Sequence, residues 1–293
     1  MLTILSNKYK IETSEHLMKI IDTRADALSQ LLQPASQVTS GAAASHLDAI
    51  AAIAAGMLRR NSGKQAQALL RVLKESLQSS TSSSSATTAA ARRLEVLVVP
   101  QDILSKENFA VVRPLWTQKT YFDVVKPLLA TALKPSNTAD VRANVSVGVL
   151  LMVRHMSFTV YEDDAEDILR VAISVAQRGA ASAGSSSADV RASLHVLKDI
   201  LIADKDKGRL HLKSIVSICV DIFSSTSSGV RPDPHCVKLA LEITGGLPNM
   251  FEAQHLLMYR LRVERELALA CGNPVREARK TARLAREAWE RLK

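Results

Sequence analysis

The chain has 293 residues, 47% of them hydrophobic, and a formal net charge of +9. So large an apolar fraction excludes a disordered chain and supplies material for a sizeable core. Glycine (11) and proline (9) are scarce and aromatic residues make up 4%, which argues against a strand-rich protein, since strands need turn residues and aromatic or β-branched runs.

Taken in chain order, apolar residues recur at helical spacing almost throughout. The opening segment, MLTILSNKYK, is too short in apolar residues for a signal peptide. Leu17, Ile20, Ile21, Leu28, Leu31 and Leu32 form one helical face, and Leu47, Ile50, Ile53, Met57 and Leu58 the next. Ser45 with Asp48, and Ser62 with Gln65, read as capping boxes. The helix after Ser62 should bury Ala66, Leu69, Leu70, Leu73 and Leu77. Residues 79–91 are nearly all Ser, Thr and Ala and predict a mobile loop. Leu94 to Val99 predicts an extended connector ending at Pro100. These readings divide the chain into N-terminal helical repeats (1–78), a Ser/Ala-rich linker loop (79–100) and C-terminal repeats (101–293).

Beyond the linker, Phe109, Val112, Leu115 and Trp116 make one stripe. Tyr121, Phe122, Val125, Leu128, Leu129 and Leu133 make another, with Pro114 and Pro127 set to start or kink these helices. Further helices are predicted near 140–155, 162–177, 189–203, 209–224, 234–246, 251–270 and 274–292, with polar loops at 179–188 and 224–232. The longest apolar run, Val145 to Val153, is interrupted by Ser146 and Gly148 and spans about half a membrane. Cys219, Cys236 and Cys271 are odd in number and far apart, so no disulfide framework is indicated and a reducing compartment fits. A soluble, intracellular protein is expected.

A weak internal repeat orders the C-terminal part. Asp140-Val141-Arg142 recurs as Asp189-Val190-Arg191, and the register returns at Val237-Lys238 after Asp233-Pro234, and at Val275-Arg276 after Asn273-Pro274. The steps between the valines are 49, 47 and 38 residues, which bracket the roughly 40–47-residue period of HEAT-type helical repeats. In each, an Asp or Asn cap should accept amide protons, proline can occupy the first helical position, and the valine should pack inward. The fold class this predicts is all-α, a HEAT/armadillo-like α-solenoid of stacked helical hairpins. Stacking is required because one hairpin cannot bury both its faces. The result offers surface for large partners in place of a cleft.

Catalytic and metal motifs are absent: there is no CxxC, HExxH, GxGxxG or P-loop lysine. No enzyme activity and no cofactor are expected. His235-Cys236 and the pair His211 and Cys219 suggest metal ligands, but two more ligands would be needed, and buried cysteines are ordinarily small hydrophobes. The acidic run Glu162, Asp163, Asp164, Glu166 and Asp167 could supply a carboxylate pair; acids in a first helical turn also simply offset the helix dipole. His155 and His195 fall near apolar stripes and read as packed or partly buried.

The charge is partly local. From Leu256 onward, ten basic residues face five acidic ones. Arg276, Arg279, Lys280, Arg283, Arg286 and Arg291 cover one flank of the last helix, with Ala278, Ala282, Ala285, Ala288 and Leu292 on the other and Trp289 beside them. Arg276, Arg279, Arg283, Arg286 and Trp289 are the candidate partner-binding residues, since Arg and Trp are favoured anchors. A solvated capping helix would look similar. Nucleic acid could use the same bases, although stacking aromatics are not interleaved with them.

Several segments resemble the C-terminal region of the MMS-nineteen family: Val111-Val112-Arg113-Pro114-Leu115-Trp116-Thr117-Gln118-Lys119 with Tyr121-Phe122 and Val125-Lys126-Pro127-Leu128-Leu129, then Val160-Tyr161-Glu162, the two Asp-Val-Arg segments, Asn7-Lys8-Tyr9-Lys10, and the ending Val275-Arg276-Glu277-Ala278-Arg279 through Arg286 and Trp289. The resemblance implies a scaffold in cytosolic iron–sulfur protein assembly. Its implied partners are a small assembly factor, a WD-repeat propeller subunit and client apoproteins that include DNA-metabolism enzymes. It implies cytoplasmic and nuclear residence, no cluster held by the scaffold itself, and a chain corresponding to the C-terminal domain of longer relatives. The alternative is a basic HEAT-repeat module that binds nucleic acid or nuclear-transport cargo. The serine-rich stretches at 79–91 and 179–188 depart from the compact repeat pattern.

Overall fold

A computed structural model describes residues 2–9, 15, 18–19, 22–23, 41–60, 64, 66–79, 84–98, 114–181, 187–224 and 233–292. The described residues are helical with no strand. They fall into two compact units, Met1–Tyr161 and Glu162–Lys293.

The first unit contains α1 (Leu2–Lys8), α2 (Gly41–Arg59), α3 (Gln67–Ser79), α4 (Ser84–Val96), α5 (Pro114–Leu133), α6 (Ala139–Val153) and α7 (Phe158–Tyr161). α1 lies directly on α2 at Gly56, where a methyl group would stand 2.0 Å from Ser6 Oγ; only a residue without a side chain admits that approach. Leu69, Leu70, Leu73 and Leu77 of α3 are fully buried, as their spacing predicts. α6 packs on α3, α4 and α5, and its buried run from Asn144 to Val153 is apolar nearly all round because it has neighbours on several sides.

The loop and connector expected at 79–100 are not observed where the chain is described. Ser84–Val96 is a helix, and Ala90, Ala91, Leu94 and Leu97 lie in the core. Alanines with a leucine one turn further on make a helical face once α2, α3 and α6 supply something to pack against. α4 is also tied by charge: Arg93 Nε donates to Asp48 Oδ1 at 2.7 Å. Ser45 is therefore no cap; α2 begins at Gly41, and Asp48 faces α4. The stripe 17–32, the pair Ser62 and Gln65, Phe109, Val112 and the side chains of Leu115 and Trp116 lie outside the described residues.

The second unit starts with a 3₁₀ turn, Glu162–Asp164, followed by α8 (Ala165–Ala181), α9 (Ser187–Ala203), α10 (Lys205–Arg209), α11 (Leu212–Ser224), α12 (Pro234–Met250), α13 (Ala253–Ala270) and α14 (Arg276–Glu290). Three antiparallel pairs, α8/α9, α11/α12 and α13/α14, carry the repeat. α8, α11 and α13 pack on one another in one layer, and α9, α12 and α14 in the other. Ion pairs lace successive helices within each layer: Arg262 to Asp221 at 2.8 Å joins α13 to α11, and Lys198 to Glu242 at 2.6 Å joins α9 to α12.

The helix starts share a job but not a residue. Asp233 accepts from the His235 amide ahead of Pro234, as the pattern predicts. In α6 the cap is Thr138, which accepts from the Val141 amide, and Asp140 lies within the first turn. At α14, Asn273 Oδ1 accepts from the Val275 amide and the helix begins at Arg276. Val190 and Val237 are buried, whereas Val141 and Val275 are half-buried. The predicted loop at 179–188 starts later than expected, since α8 continues to Ala181; residues 225–232 lie outside the described set.

Candidate partner-binding surface

α14 is strongly two-faced. Ala278, Ala282, Ala285 and Trp289 point inward at spacings of three and four, and all are buried. The three alanines let the helix sit close to α12: a methyl group on Gly245 would stand 2.9 Å from Ala285 Cβ. Trp289 fills the space below that contact and is 0% exposed. Its place in the core removes it from the predicted partner-binding set. The indole Nε1–H donates to the Thr244 carbonyl at 2.8 Å. In a regular helix that carbonyl would accept from the amide four residues on, but position 248 is proline and has no N–H. Trp289 supplies the missing donor from a neighbouring helix.

The basic residues of α14 divide into three kinds. Arg279 is half-buried, and its Nη1 donates to the carbonyls of Asn273 and Pro274 at 2.8 and 2.9 Å, so it closes the turn from α13. Arg286 pairs with Glu290 at 2.8 Å, and Arg291 with Glu287 at 3.7 Å. Arg276, Lys280 and Arg283 are exposed along one stripe and have no acidic partner among the described residues. Of the four arginines singled out by sequence, Arg276 and Arg283 are thus the ones fully available to another molecule.

The other helix of this pair carries a feature that went unnoticed in the sequence. α13 buries Leu256, Val263, Leu267 and Ala270, yet also exposes Leu257 (51%), Met258 (77%), Leu261 (85%) and Leu269 (66%). The signal was present: seven Leu, Met and Val residues in eighteen exceed what a single buried stripe needs. Between α12 and α14 runs a groove of about 750 Å³ lined by Leu241, Gly245, Pro248, Leu284, Ala288 and Arg291, among others.

The other candidates are structural where they are described. Cys219 and Cys236 are buried, and burial pushes each thiol up to about 12. Among the described residues no three His, Cys, Asp or Glu side chains stand close enough to hold a metal ion. The acidic run opens α8, where Glu166 and Asp167 pair with Arg170 in their own helix. His195 is exposed, contrary to its predicted packing. His155 is half-buried, with Nε2 2.9 Å from Glu95 Oε1, and Arg154 pairs with the same carboxylate. Burial would raise the Glu95 carboxyl, but the His155 hydrogen bond and the Arg154 charge outweigh it and hold the carboxyl below the usual range. No helix of the described residues is long and apolar enough to cross a membrane.

Stacked helical pairs, with no strand among the described residues, define a repeat protein of the armadillo/HEAT class. Two solved structures share the fold: a designed armadillo repeat protein, with TM-score 0.53 and 14% identity over 90% of this chain and 98% of that one, and an engineered protein, with TM-score 0.51 and 17% identity over 91% and 96%. Residues 1–232 match the family MMS19_C, described as RNAPII transcription regulator C-terminal, and the chain belongs to that family. The match stops ahead of α12, so α13 and α14 lie beyond it. No curated protein matches the chain.

Proposed function

We infer that this helical-repeat protein is a protein-binding scaffold of the cytosolic iron–sulfur cluster targeting complex. Its role is to hold a small assembly factor, a WD-repeat propeller subunit and client apoproteins at fixed separation, which raises their effective concentration. The observation that carries this reading is the family match across residues 1–232, together with a fold of stacked helical pairs. Work in both cytoplasm and nucleus follows if the clients include DNA-metabolism enzymes. The exposed bases Arg276 and Arg283, with Arg279 and Arg286 beside them, form part of the partner surface under this reading.

The test is a pull-down from cell extract with the full chain, probed for the assembly factor and the propeller. Recovery of both, reduced in Arg276→Glu/Arg283→Glu, is expected. Recovery of neither subunit overturns the reading. Arg279 is left intact because its backbone contacts hold the α13–α14 turn. Binding of nucleic acid through the same stripe would instead appear as a mobility shift that falls steeply with salt.

A further inference from the structure

We draw no further inference here: the strongest candidate, the groove of about 750 Å³ between α12 and α14 lined by Gly245, Pro248, Leu284 and Ala288, is bordered by the ion pairs Lys198–Glu242 and Arg291–Glu287, which balance in charge and select no partner, and nothing in the structure shows what covers it.

Discussion

Trp289→Phe keeps an aromatic ring between α12 and α14 and removes one donor. The Thr244 carbonyl then has neither the indole N–H nor a helical amide, because residue 248 is proline. Trp289 is fully buried, so water has no ready route to the carbonyl, and an unpaired buried carbonyl costs about 1–3 kcal/mol. The smaller ring adds a cavity contribution, and Trp289→Ala raises the total loss to about 3–5 kcal/mol. The informative measurement is a double-mutant cycle with Pro248→Ala. Alanine restores an amide at position 248 that can donate to the Thr244 carbonyl, so Trp289→Phe should then cost only its packing share. Urea denaturation followed by far-UV ellipticity on the four proteins gives the coupling, expected at about 1 kcal/mol or more. If Trp289→Phe costs the same in both backgrounds to within about 0.5 kcal/mol, the indole is not the carbonyl's needed donor.

Gly245→Val places a branched side chain where even a methyl group meets Ala285 at 2.9 Å; a loss of about 1–3 kcal/mol is expected, and an unshifted denaturation midpoint would show that the two helices separate freely. Glu95→Gln removes the charge shared by Arg154 and His155 and should cost about 1–3 kcal/mol at neutral pH. Because the folded carboxyl sits below its unfolded value, its contribution is present above the ordinary carboxylate range and is lost as pH falls through the lower folded value; the acid limb of the stability profile should therefore be shallower in Glu95→Gln. For the thiols the sign is opposite. Cys219 keeps its proton to about 12 when folded against 9.0 for an ordinary thiol, so stability drains as pH rises between those values, and less so in Cys219→Ala. In native protein an aromatic disulfide reagent should modify half-buried Cys271 first, with Cys219 and Cys236 reacting only after denaturant; three equally fast thiols would contradict their burial.

Helices and their inward faces were legible in the sequence because helical periodicity is local: a side chain's direction depends on its place within 3.6 residues. The stripes Leu69 to Leu77 and Tyr121 to Leu129 were read from the chain alone and lie buried. The recurring start of each repeat was read only in part: Asp233 caps α12, but Thr138 and not Asp140 caps α6, Asp189 lies inside α9, and α14 opens on Val275. The serine tract misled because composition reports intrinsic propensity, and α4 forms on what it packs against.

The sequence by itself determined an all-helical chain of paired repeats, since the period and the cap residues are written along the backbone. Only the tertiary structure decided what each outward or inward residue does. It placed Trp289 against a carbonyl orphaned by Pro248, used Arg279 to close a turn, left Arg276 and Arg283 without an acidic partner among the described residues, and exposed Leu257 and Leu261. Those outcomes depend on which helix lies alongside, across separations such as the 45 residues from Thr244 to Trp289, and no local pattern encodes a neighbour that far away.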